Sequence, residues 1–178
     1  MSATRFFCII FSISWACLLQ AQPYAYITNQ GSNSVTVVDT KTNKTINTIP
    51  VGQRPAGVVV SNDGKHVYIS NPESKDISVI DTHKQKVIKA IPVGGGPLAI
   101  AISPDDKTVY VADWYEDSVF FINTNTLGIE TKINVGDSPS GLAVNPNGLF
   151  LYVANRDENT VMVIDLLKKV VSKTINVG

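Results

Sequence analysis

The chain has 178 residues, 44% hydrophobic and 17% charged, with 15 basic against 15 acidic side chains and a formal net charge of zero. Charge is interspersed without a basic block, so no field steers nucleic acid or anionic lipid, and neither is an expected partner. Both cysteines, Cys8 and Cys17, precede Gln22, so the rest of the chain can form no disulfide and hold no cysteine-ligated metal.

Residues 1–21 carry Arg5 and an apolar run from Phe6 to Leu19 broken only by Ser12 and Ser14. That run is too short to span a bilayer. With the small Ala21 ahead of Gln22 it reads as a cleaved secretory signal. The mature chain, 22–178, is expected outside the cytoplasm, in the periplasm, on the cell surface or secreted, with no transmembrane span after cleavage.

From Tyr24 onward the chain repeats. Segments beginning at Tyr26, Tyr68, Tyr110 and Tyr152 recur every 42 residues, and Val51-Gly52, Val93-Gly94, Val135-Gly136 and Val177-Gly178 keep the same spacing. A period in the low forties filled with short β-branched runs fits one four-stranded propeller blade per repeat, whereas solenoids of that period are helical. In the second repeat the predicted strands are 67–70, 77–81, 87–93 and 98–103. Turn chemistry separates them, as in Ser61-Asn62-Asp63-Gly64 and Ser103-Pro104-Asp105-Asp106. Asp39, Asp81 and Asp165 end their strands where a carboxylate caps the next turn.

The strands after Pro55, Pro97 and Pro139 alternate small and large residues, as Ala99 and Ala101 do with Ile100 and Ile102. That suits the innermost strand, where blades converge. The fold class is therefore all-β: a β-propeller of 42-residue four-stranded blades at 55–94, 97–136 and 139–178. A partial blade at 24–52 has three strands and lacks the inner one. The ring is expected to be incomplete and to self-associate through its open blade edges. A closed four-bladed ring with a three-stranded first blade is the competing arrangement.

Tyr26-Ile27-Thr28-Asn29, Tyr68-Ile69-Ser70-Asn71 and Tyr152-Val153-Ala154-Asn155 are each followed by a Val-x-Val-Ile-Asp-like strand, an Ile-x-Val-Gly segment and a Pro-led strand. In this order the chain resembles the YVTN β-propeller repeats of exported and cell-surface prokaryotic proteins. The third repeat departs, with Asp113 in place of the asparagine. The resemblance implies export and a ring of about seven blades, of which this chain would be half. It carries over no catalytic residue.

Two sets of loops are expected on one face, those after the Tyr strands and those between Val-Gly and the inner-strand prolines, where propellers usually carry function. Trp114 and Tyr115 interrupt otherwise polar loop positions and suggest a contact platform. Arg54 and Arg156 on the same face suit a carboxylate or phosphate. These four are the candidate binding residues; no catalytic residue and no metal ligand is assigned. His66 and His83 lack zinc-site spacing, the acidic pairs such as Glu116 and Asp117 lack a calcium loop, and Gly94-Gly95-Gly96-Pro97 lacks the Lys-Ser/Thr of a phosphate loop. The expectation is a non-catalytic binding or scaffold module, without a cofactor, engaging a protein or surface glycan. The alternative is an enzyme or enzyme subunit of lactonase or quinone-linked dehydrogenase type, with its site near the propeller axis.

Overall fold

The computed structural model describes residues 24–178; the proposed signal segment and Gln22 lie outside them. Fifteen strands form four antiparallel sheets. The first sheet has three strands, β1 (Tyr24–Asn29), β2 (Ser34–Asp39) and β3 (Lys44–Pro50). The second runs β4 (Val58–Val60), β5 (His66–Asn71), β6 (Asp76–Asp81) and β7 (Lys86–Pro92). The third runs β8 (Pro97–Ile102), β9 (Thr108–Asp113), β10 (Ser118–Asn123) and β11 (Gly128–Asn134). The fourth runs β12 (Pro139–Val144), β13 (Phe150–Asn155), β14 (Thr160–Asp165) and β15 (Val170–Asn176). This is the partial propeller expected from the repeats, with one sheet per repeat and the first sheet lacking its inner strand.

Local chemistry sets each turn. The Asp39 carboxylate accepts from the Lys41 and Thr42 N–H groups, Asp81 from His83 and Lys84, and Asp165 from Leu167 and Lys168. Asn123 does the same with its amide oxygen for Asn125 and Thr126. These are side-chain caps that let a polar residue close a tight turn without a glycine. They hold the three carboxyls below the usual carboxylate range, chiefly through the backbone N–H bonds.

The core lies between sheets. Tyr26, Val35, Val37 and Ile49 of the first sheet meet Val67, Ile69 and Ile80 of the second. Tyr68, Ile77, Val79 and Ile91 of the second meet Val109, Val111, Phe120 and Ile122 of the third. Tyr110, Val119 and Phe121 of the third meet Leu151, Val153 and Ile164 of the fourth. Each sheet thus has a leading face, with the tyrosine and the odd members of its middle strands, and a trailing face, with the residues between. The middle strands of the second and third sheets are buried on both sides, which explains their near-continuous apolar runs. Among the described residues no core cluster joins the fourth sheet to the first. The competing four-bladed closure is therefore not what forms. No helix is long and apolar enough to cross a membrane among the described residues.

Candidate functional site

The loops after the Tyr strands and the connections between sheets share one face, as expected. Each connection is bonded to the turn of the sheet that follows: Glu73 N–H to Gln53 C=O at 3.3 Å, Trp114 N–H to Gly96 C=O at 3.0 Å, and Arg156 N–H to Ser138 C=O at 3.2 Å. A substitution in a connection is thereby felt in the neighbouring turn.

The third repeat is wired differently. In the connections before the second and fourth sheets, Arg54 and Ser138 N–H groups donate at 2.9 Å to Asn33 Oδ1 and Asp117 Oδ1. The residue at the corresponding position of the second sheet is Lys75, which has no acceptor. Here the Gly96 N–H turns instead to Asp113, 2.9 Å from both carboxylate oxygens. Tyr115 and Glu116 N–H groups donate to Asp113 Oδ1 at 3.0 Å each. Asp113 is fully buried and satisfied by three N–H donors, which offsets the cost of burying its charge. Gly95 has φ +47°, and a Cβ there would collide with that carboxylate, so a glycine is required. Asparagines occupy the equivalent positions in the other sheets; the Asn71 and Asn155 Oδ1 atoms are buried without a protein partner.

This clamp holds Trp114 and Tyr115. Together with Pro72, Gly96 and Leu98 they line an open apolar cavity of about 240 Å³ where inner strand β8 begins. Tyr115 is 77% exposed and lies so close over Gly96 that a Cβ there would come within 2.5 Å of its ring. Trp114 is half-buried, and the Arg156 guanidinium stands 5.3 Å from its ring centroid, within cation–π range. Three of the four candidate residues, Trp114, Tyr115 and Arg156, thus belong to one shelf. Arg54 is tied elsewhere, to Glu73 at 3.4 Å.

On the opposite face a polar cavity of about 320 Å³ is lined by Asp63, His66, Tyr68 and Asp106 among others. Hydrogen bonds from Lys65 and the Ser61 hydroxyl hold Asp63 at about 2, and burial pushes the Tyr68 phenol to about 12. His66 is tilted against Tyr68, 6.4 Å between ring centroids, and His83 sits on an exposed turn. Glu116 of the acidic pairs is bound to Lys132. Among the described residues no three His, Cys, Asp or Glu side chains converge as a metal site.

Comparison with known families gives a match to the cytochrome D1 heme domain over residues 21–146. The chain belongs to the cytochrome D1 heme domain family. Among solved structures it is similar to hydrazine synthase of Kuenenia stuttgartiensis, at 31% identity and a TM-score of 0.81, covering 86% of this chain and 46% of that one. This chain therefore spans under half the length of that relative. No curated protein matches.

Two expectations change. The propeller family is the cytochrome D1 heme domain, and the narrower YVTN resemblance is not what the comparison returns. The expectation of a chain that is not an enzyme is overturned, because this family and the hydrazine synthase are enzyme-type propellers. Motif reading failed here for a physical reason. A blade's strands are wall, and their Val, Ile and Ala residues report packing, while chemistry on a ring is done by what gathers at its rim. The described rim does not itself fit a heme. No imidazole, thiolate or thioether lines the Trp114–Tyr115 cavity, and both histidines lie on the opposite face.

Proposed function

We propose that this chain is an arc of an exported enzyme-type propeller whose shelf at Trp114, Tyr115 and Arg156 holds a planar, anionic substrate or cofactor. The observation that carries the reading is the guanidinium of Arg156 over the Trp114 indole, beside an apolar cavity at the start of an inner strand. An aromatic face and an apolar wall favour a flat conjugated ligand, and a neighbouring guanidinium favours its carboxylates. Membership of the heme-domain family supports an enzyme-type ring. Export rests on the Arg5-led apolar run. Arg54 joins the same face as a second, more distant cation that a larger ligand would reach.

Trp114 is the one tryptophan in 22–178, so its fluorescence reports on the shelf. Metal-free protoporphyrin IX and a quinone tricarboxylate serve as planar, anionic probes. Saturable quenching is expected, with Arg156→Ala weakening binding about tenfold, equivalent to about 1.4 kcal/mol. Trp114→Ala should abolish the shelf with little change in melting temperature. Absence of saturable quenching by either probe, or equal affinity in Arg156→Ala, overturns the reading in favour of a protein or surface glycan on this face.

A further inference from the structure

Two cavities on the face opposite the Trp114 shelf occupy equivalent places in successive junctions. Asp63, His66, Tyr68 and Asp106 line the one of about 320 Å³ between the second and third sheets. Asp105, Thr108, Tyr110 and Gly148 stand at the same repeat positions in the one of about 270 Å³ between the third and fourth. Where the first has Thr124 and Asn125, the second has Leu166 and Leu167. The differences between the two are therefore not demanded by the fold. The Tyr68 ring is packed in the core between its sheets and the residue is 2% exposed, so its hydroxyl is the part that reaches the cavity. That hydroxyl has no hydrogen-bond partner among the described residues, and the Asp106 and Asp63 carboxylates add to burial in keeping it protonated. In the next cavity the Thr108 side chain reaches the corresponding phenol of Tyr110. His66 takes that position here, anchored by its backbone N–H to Ser61 Oγ at 3.0 Å. A buried hydroxyl left without a partner is costly, so a partner from outside the chain is favoured.

Asp106 is the second departure. It holds φ +60° where Gly64 and Gly148 stand in the equivalent turns. Its carboxylate accepts from the Asn62 backbone and side-chain N–H groups at 2.7 Å each and from the Asp63 N–H at 2.9 Å, which ties the turns of the second and third sheets together and fixes the cavity between them. Asp63 and Asp105 are neutralised by Lys65 at 2.9 Å and Lys107 at 3.2 Å, whereas Asp106 is in no ion pair among the described residues. One uncompensated carboxylate and one free phenol thus face the same space. We propose that this cavity binds a hydroxylated ammonium compound of the size of one amino sugar, its ammonium on Asp106 and a neighbouring hydroxyl accepting from Tyr68. Among the described residues no three acidic or histidine side chains converge, so a molecule suits the space better than a bare metal ion. The site is separate from the Trp114 shelf and does not depend on what the shelf binds.

Isothermal titration of the full chain with glucosamine is expected to show saturable binding, with glucose, which lacks the ammonium, about tenfold weaker or worse. Tyr68→Phe removes only the hydroxyl. It should weaken glucosamine binding about tenfold and leave the melting temperature unchanged, because no bond within the chain is lost. His66→Thr copies the third sheet and should weaken binding as well, by giving the phenol a partner. Glucosamine should leave Trp114 fluorescence unaltered, since the shelf lies on the other face. No saturable binding of glucosamine, equal affinity for glucose, or parental affinity in Tyr68→Phe overturns the proposal. So does a lowered melting temperature in Tyr68→Phe, which would mean that the hydroxyl is already bonded within the chain. Quenching of Trp114 would place glucosamine on the shelf and overturn it likewise.

Discussion

Asp113→Ala is expected to destabilise the protein by about 3 kcal/mol or more, because three N–H groups lose their acceptor at a fully buried position. For a domain of this size that is a fall of about 6 to 12 °C in melting temperature. Asp113→Asn keeps one oxygen for Tyr115 and Glu116 but turns an amide nitrogen toward the Gly96 N–H, so it should recover only part of the loss. Thermal unfolding followed by circular dichroism measures both. A loss under about 0.5 kcal/mol in Asp113→Ala, the range of ordinary surface substitutions, would show that water replaces the carboxylate and that the clamp does not organise the shelf.

Phe121→Ala is expected to cost about 4 kcal/mol. Phe121 is 2% exposed and meets Tyr110 edge-on, 4.9 Å between ring centroids, inside the cluster that joins the third and fourth sheets. The corresponding residues of the other repeats are Val37, Val79 and Val163. Phe121→Val should therefore cost less, because a valine already completes the same junction between the first and second sheets and between the second and third. Equal losses for alanine and valine would indicate that the aromatic contact dominates over the volume filled. Chemical denaturation with linear extrapolation distinguishes the two.

Much of the fold is legible because the same packing problem is solved four times. Every strand has the β-branched composition and turn chemistry of its equivalents, so register errors cannot accumulate along the chain. Strands β4 to β8 fall within a few residues of their predicted positions, the shortest being β4, where Ala56 and Gly57 bond to Ser70 before the regular ladder begins. The shelf was legible only in part. Trp114 and Tyr115 are visible as breaks in a polar pattern, and Arg156 lies one repeat on from Trp114 in the fourth-sheet turn. That the guanidinium stacks on the indole depends on how adjacent turns lean together, which spacing does not encode. Arg54 carries the same charge on the same face but is drawn to Glu73.

Asp113 was visible as a departure from asparagine, and its meaning was not. Its role follows from two other departures in the second repeat, Lys75 where an acceptor stands in the neighbouring repeats and Gly95-Gly96 where the connection must turn past a buried carboxylate. Reading the three substitutions as one compensated set would have located the clamp. That the family is one of enzyme-type propellers was beyond motif reading, since the described sheets hold a wall and one portion of a rim, and a wall is written in packing residues whatever chemistry a ring performs.

The central claim, that the chain is an arc of a propeller ring, is tested most directly by electron-microscopy class averages of the protein purified from its own host. The account predicts a closed round ring of more than four blades, in which these four sheets form one arc of the wall. A population of isolated open arcs, or a compact closed ring of only four blades, would contradict it.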